Sequence, residues 1–276
     1  MQSLKQLFHF YINSSIHVAI AVCSLVWVTL LKFHVGADLD FIYFIFFATI
    51  SGYNFVKYFG LAKFHHRSLA SWLKYIQLFS LLCFIGLIYF AIQLKVETLL
   101  YFLVLGLVTF LYAIPLLPRH MLYKGGNLRE ISGVKIYVIA FVWTSTTVII
   151  PLINENYSIN NNVIIEAAQR YLFVIVATLP FEIRDMSYDS IKLSTIPQRI
   201  GVFRTKFIGI LLVLLLFLLE FIKNDLWTNE IIILGVVCFL LMFFLTNSRM
   251  KQSHFYSGFW VEGIPILWAV MTTANF

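Results

Sequence analysis

Nine times along the chain an apolar run of about 18 to 25 residues recurs between short polar breaks, a length matched to the hydrocarbon core of a bilayer. The runs cover residues 8–32, 39–59, 71–93, 97–117, 134–153, 163–183, 203–223, 230–247 and 256–274. No period-two alternation persists within them, so membrane strands are excluded and helices expected. With 61% hydrophobic residues, 12% charged ones and a mean hydropathy of +0.87, the chain carries more apolar surface than a soluble domain can bury. The expectation is an all-α, polytopic membrane protein in which residues 1–276 form a single integral-membrane domain of nine transmembrane helices. The first run follows Lys5 as a signal peptide would, but it is too long for one and is read as an uncleaved membrane helix.

Charge distribution gives the orientation. Basic residues gather in the loops after runs two, four, six and eight, at Lys63 and Arg67, at Arg119, Lys124 and Arg129, at Lys192, Arg199, Arg204 and Lys206, and at Arg249 and Lys251. By the positive-inside rule these loops and the N-terminus are cytoplasmic and the C-terminus lies outside, as expected in the inner or plasma membrane of a bacterium. The net charge of +7 is thereby explained without nucleic acid, which is excluded as a partner. Cys23, Cys83 and Cys238 all fall in apolar runs and form no CxxC pair, so they read as small core residues. Neither HExxH nor GxSxG occurs, which disfavours zinc proteases and serine hydrolases.

Chemistry concentrates in residues 181–201, after the sixth run, where Glu182, Asp185 and Asp189 interrupt a chain otherwise poor in acids. Asp185 and Asp189 stand four apart, so on a helix both carboxylates share a face and form a half-site for Mg²⁺, whose other ligands are waters and substrate phosphates. The alternative is a solvated charged loop. Lys57 lies near the end of the second run and either snorkels to the interface or faces a site. The loop after the fourth run carries Pro115 and Pro118, Gly125-Gly126, and the cations Arg119 and Arg129, which have the geometry to clamp a diphosphate but are equally accounted for by orientation. Glu262, beside Gly263 and Pro265 in the last run, is an acid inside a membrane span and a site candidate by default. Glu166 and Arg170, an i,i+4 pair toward the outer side, read as structural. Asn13, His17 and Asn54 read first as interhelical glue.

The order Arg184, Asp185, Asp189, Thr195, Pro197, Gly201, and the segment Leu111-Tyr112-x-x-Pro115 followed by bases and Asn127, resemble the UbiA superfamily of intramembrane prenyltransferases. The resemblance implies a nine-helix bundle around a central cavity, with two Asp-rich motifs that hold Mg²⁺ and a polyprenyl diphosphate. It implies prenyl transfer to a hydrophobic or aromatic acceptor within the lipid bilayer. Carried onto this chain, it makes Asp185 and Asp189 catalytic and metal-binding. Asn54, Arg119, Arg129, Arg184 and Lys192 become contacts for the diphosphate and prenyl group.

The family's first motif, NDxxDxxxD, falls here on Asn54 through Ala62, where Phe55, Tyr58 and Ala62 stand at the Asp positions and no acid occurs between Asp40 and Glu97. This leaves two expectations. Lys57 neutralises the diphosphate directly as a catalytic residue beside one Mg²⁺ on the Asp185/Asp189 half-site, or it pairs with Asp185 or Asp189 across a retired site. In the second case the chain is a catalytically inactive relative that binds an isoprenoid lipid or scaffolds a membrane complex. A transporter is the third class, but the apolar runs offer little beyond Glu262 and His17 for an ion path.

Overall fold

The computed structural model describes residues 2–62, 71–113, 133–187, 195–224 and 227–275, and among them every regular element is helical. In chain order these are α1 (Gln2–Asn13), α2 (Ile16–Lys32), α3 (Leu39–Ala62), α4 (Ser71–Ala91) and α5 (Val96–Ala113). Then come α6 (Lys135–Thr144), a π-helical turn (Ser145–Ile149) and α7 (Ile150–Asn154), which together make one run, and α8 (Asn161–Asp185). The chain ends with α9 (Ile196–Ile200), α10 (Val202–Leu218) closing in a 3₁₀ turn (Leu219–Ile222), α11 (Thr228–Asn247), a second π-helical turn (Tyr256–Val261) and α12 (Ile264–Thr273).

Each of the nine apolar runs is therefore helical where described. Six helical spans are long and apolar enough to cross a membrane on their own, starting at Leu39, Trp72, Lys135, Asn161, Val202 and Thr228. The described part of the fifth helix, Val96–Leu111, is shorter. The first run differs from the single expected helix, because α1 and α2 meet at an angle of 56°. Ser15 adopts the left-handed conformation there (φ 65°), which interrupts the helical ladder inside a buried segment. Irregular backbone at such a depth needs partners from neighbouring helices. α3 supplies them: Asn54 Nδ2 donates to the Ser14 carbonyl at 3.0 Å, and the Tyr58 hydroxyl donates to the Asn13 carbonyl at 2.8 Å.

α2 is the hub of the bundle. It packs against α3 on one side and α12 on another, and ten of its seventeen residues are buried. One core gathers Leu25, Phe173, Leu179, Val213, Leu241 and Trp268 from α2, α8, α10, α11 and α12. A second joins Val26, Phe41, Ile45, Leu105 and Ile150 from α2, α3, α5 and α7. Gly209 lets α10 approach its neighbours, since a Cβ there would meet the side chains of Leu245 and Leu179. The outward faces of α4 and α10 expose Leu81, Leu82, Ile85, Ile88, Phe207, Leu211 and Leu214, the surface expected of helices solvated by lipid.

Candidate functional site

Charged residues of the described chain collect at two places. At one end of the bundle, Glu166 of α8 accepts from Lys32 (3.1 Å), Arg170 (3.1 Å) and Lys223 (2.9 Å), and Lys223 also reaches Glu220 (2.8 Å). Gln169 donates to Glu220 at 2.8 Å, Arg170 donates to the Leu25 carbonyl at 3.0 Å, and the Trp268 ring faces both Lys32 and Arg170. The Glu166–Arg170 pair expected from spacing is thus the centre of a larger buried cluster that includes Lys32, Glu220 and Lys223. Those three lie 134, 54 and 57 positions from Glu166, beyond any local pattern.

The other place lies where α3 and α8 end and α12 is about to begin. Here Arg184 Nε donates to Asp185 Oδ1 at 2.7 Å, and Arg184 donates from its terminal nitrogen to Ser257 Oγ at 2.9 Å. Lys57 Nζ donates to Ser15 Oγ at 3.0 Å, and Ser15 in turn donates to Asn54 Oδ1 at 2.8 Å. Among the described residues Lys57 has no acid in direct contact; the negative charge that acts on it is that of Glu262. Glu262 comes directly after the second π-helical turn, in which its amide bonds the Ser257 carbonyl five residues back (3.2 Å). A π turn inserts an extra residue and so rotates the side chains beyond it, and such turns concentrate at functional sites. This one carries Ser257, which holds Arg184, and is followed at once by Glu262, on which the charges of Lys57 and Arg184 act.

His254, just before that turn, reports the same convergence. Its imidazole is held below its ordinary value first by partial burial and then by the positive charges of Arg184 and Lys57, with Asp185 acting the other way. His17 of α2 completes the surroundings: its Nε2 donates to the Phe259 carbonyl (2.9 Å), which leaves Nδ1 to accept from the Tyr11 hydroxyl (2.8 Å). Phe8 packs on Phe255 and Phe259, so α1 is clasped to the π turn by aromatic rings. Beyond them an apolar groove of about 820 Å³ runs along α1, lined by Leu4, Leu7, Phe8, Phe10, Tyr11 and Ile16, with Lys5 at its rim.

Solved structures share this arrangement of helices, although no family model and no curated protein matches the chain. A structure from work on digeranylgeranylglyceryl phosphate synthase in membranes aligns over 100% of both chains, at 15% identity and a TM-score of 0.59. The apo UbiA homologue of Aeropyrum pernix K1 aligns over 94% of this chain and 98% of its own, at 13% identity and a TM-score of 0.64. The Archaeoglobus fulgidus UbiA homologue bound to GPP and Mg²⁺ aligns over 96% of this chain and 98% of its own, at 13% identity and a TM-score of 0.57. The chain has the UbiA fold.

On that fold, the residues singled out in the sequence fall into three groups. Arg184 bonds Asp185 and the unforeseen Ser257, Lys57 bonds the unforeseen Ser15, and the charges of Lys57 and Arg184 act on both Glu262 and the unforeseen His254. Asn54 is present but engaged, its amide bonding Ser14, Ser15 and Ser80. Asp189, Lys192, Arg119 and Arg129 lie outside the described residues. A Lys57–Asp185 ion pair, one expectation for a retired site, does not form, because Arg184 on the same helix reaches Asp185 first. The segment that stands at the family's first acidic motif instead holds the α1–α2 break through Asn54 and Tyr58. Among the described residues no group of three or more acid, His or Cys side chains gathers, and Asp185 is charge-paired with Arg184. The described donors alone do not fit a Mg²⁺ site.

Proposed function

We propose that the chain is a UbiA-type membrane protein that binds a polyprenyl diphosphate and transfers its prenyl group to a hydrophobic or aromatic acceptor. What supports this reading is that Lys57 and Arg184, from different helices, both act electrostatically on His254, that Asp185 is the one acid in direct contact with either among the described residues, and that an apolar groove runs along α1, whose Phe8 packs on Phe255 and Phe259. An amphiphile with an anionic head and an isoprenoid tail matches both halves. In the reaction the allylic C–O bond breaks, and its electron pair leaves with the diphosphate. Lys57 and Arg184 stabilise the charge that develops on the departing oxygens. The acceptor then bonds to the allylic carbon and releases a proton, while the aromatic rings around Phe259 shield the cation from water.

The finer elements of the reading are nine crossings in one domain and cytoplasmic placement of this end, with the N-terminus inside and the C-terminus outside a bacterial plasma membrane. Asp185 with Asp189 would be the half-site for Mg²⁺, which supplies further neutralisation of the diphosphate when it arrives with that ligand. Arg119, Arg129 and Lys192 are proposed as additional diphosphate contacts.

The full-length protein in detergent should bind geranyl diphosphate, and release pyrophosphate when lipid extract or an aromatic acceptor is added. Absence of geranyl diphosphate binding with and without Mg²⁺ defeats the reading. Binding without pyrophosphate release favours the second one, a non-catalytic isoprenoid-lipid protein or scaffold, for which the direct pairing of Asp185 with Arg184 speaks.

A further inference from the structure

His17 is a buried histidine in an apolar helix, and the chemistry above makes no use of it. Its two ring nitrogens are placed unequally. Nε2 lies 2.9 Å from the Phe259 carbonyl, which can only accept, so Nε2 carries a proton whatever the charge of the ring. Nδ1 lies 2.8 Å from the Tyr11 hydroxyl, which can either donate or accept. In the neutral ring Nδ1 accepts from that hydroxyl. A ring that gains a proton on Nδ1 reverses the same bond and donates to Tyr11 Oη. Both charge states therefore keep both hydrogen bonds. The Phe259 ring stacks on the imidazole at 5.0 Å and 24°, a face that also favours the charged form.

The fold makes this pair on purpose of the break between α1 and α2. On an unbroken helix Tyr11 and His17, six positions apart, would stand about 120° apart around the axis and about 9 Å apart along it. The 56° bend at Ser15 brings them into contact. Lys57 bonds Ser15 at 3.0 Å, so the cation assigned to the diphosphate stands at the same bend. His17 is 3% exposed, whereas Tyr11 lines the apolar groove along α1. A proton from the groove reaches the imidazole through the phenol. We propose that Tyr11 and His17 form the relay that takes up the proton released by the acceptor. The proposal rests on the prenyl-transfer reading above. As an acceptor hydroxyl oxygen bonds to the allylic carbon, its O–H bond breaks and the proton goes to Tyr11 Oη. The Tyr11 proton passes to the Nδ1 lone pair, which leaves a neutral phenol and an imidazolium. Return along the same path hands the proton to the departing pyrophosphate, and the pair is reset.

The test uses full-length protein in detergent with geranyl diphosphate and 2-naphthol, reading pyrophosphate release and, by calorimetry, geranyl diphosphate binding. Tyr11→Phe keeps the ring packing and removes the proton carrier. It should lower kcat about 100-fold, the scale of one general base, and leave the geranyl diphosphate Kd within about threefold. His17→Gln should cost about as much, and the double variant no more than either, because the two act as one relay. In the unaltered protein kcat should fall on acidification, since a ring already protonated on Nδ1 cannot take a second proton there, and His17→Gln should lose that fall. Charged and titratable groups on the elements around the ring are His9 of α1, Lys57 of α3, Arg184 bonded to Ser257, His254, and Glu262, next to Gly263, where a Cβ would lie 3.7 Å from Nε2. An acid limb that survives in His17→Gln belongs to one of these and overturns the proposal. A clasp that merely holds α1 would give a weakened geranyl diphosphate Kd and a lower melting temperature, with additive losses in the double variant, and that result also overturns it. If the unaltered protein binds geranyl diphosphate and releases no pyrophosphate with 2-naphthol or lipid extract, the transfer reading falls and takes this proposal with it; if it turns over and Tyr11→Phe turns over equally, only this proposal falls.

Discussion

The two charged regions of the molecule are built from the same residue types and differ in how far they are closed. Around Glu166, each cation has a carboxylate within 3.1 Å, and the Trp268 ring covers Lys32 and Arg170. Around Lys57, among the described residues, the ammonium has only a serine hydroxyl, Arg184 divides itself between Asp185 and Ser257, and Glu262 touches neither cation directly. In an apolar medium a set in which every cation is paired with a carboxylate holds helices in place, even though among the described residues Arg170 Nε and Gln169 Oε1 here close no hydrogen bond. An unsaturated set is costly to the fold and keeps its capacity for binding. The first region thus belongs to the architecture, and the second is where function has to be sought.

The contrast breaks if the two regions respond alike to loss of a charge. The largest effect is expected for Glu166→Ala, which strips Lys32 and Arg170 of the only carboxylate in direct contact with them among the described residues. It should cost about 3–5 kcal/mol and show as failure to recover monodisperse protein in detergent. Next, Lys57→Met should leave thermal stability within about 1 kcal/mol of the parent, or raise it, while weakening geranyl diphosphate about 30-fold, the scale of a lost charged hydrogen bond of roughly 2 kcal/mol. A Lys57→Met protein that unfolds like Glu166→Ala would remove the distinction. Asn54→Ala should cost about 1 kcal/mol in thermal stability, because it frees the Ser14 carbonyl and Ser80, and should change diphosphate affinity less than Lys57→Met does.

The smallest expected effect is in pH. His254 sits below its ordinary value in the folded protein because of partial burial, then the charges of Arg184 and Lys57, with Asp185 opposing and His9 adding a little to the lowering. Between its folded and unfolded values the native state binds fewer protons, so stability rises with pH through that window and is lost on acidification. A melting temperature compared between about pH 5 and pH 7 should fall on the acid side, less so in His254→Gln. Addition of pyrophosphate should narrow the gap, because a bound anion offsets the same cations.

Much of this was legible from the chain alone, and the reasons differ from element to element. The helical, membrane-embedded class comes from run length, since a backbone in lipid must satisfy its own hydrogen bonds and few structures do so. The Glu166–Arg170 pair comes from i,i+4 spacing, and the Asp185 region from three acids in a chain with few. The break between α1 and α2 was hidden, because Ser14-Ser15 lies inside an otherwise continuous apolar run and its bonding partners are about 40 residues away in α3. Ser257 was hidden for the same reason, since its partner Arg184 is 73 positions away, and His254 because the charges that act on it, Arg184 and Lys57, come from other helices.

Local periodicity and composition, then, determined that this chain is a bundle of apolar helices with its acids set aside for special places. Tertiary structure alone decided which charges meet. Coulombic interaction depends on distance in space, and in a bundle of long helices residues far apart in the chain become nearest neighbours. Only the packed helices tell that Glu166 is surrounded by bonded cations, whereas among the described residues Lys57 bonds Ser15 and Arg184 bonds Asp185 and Ser257.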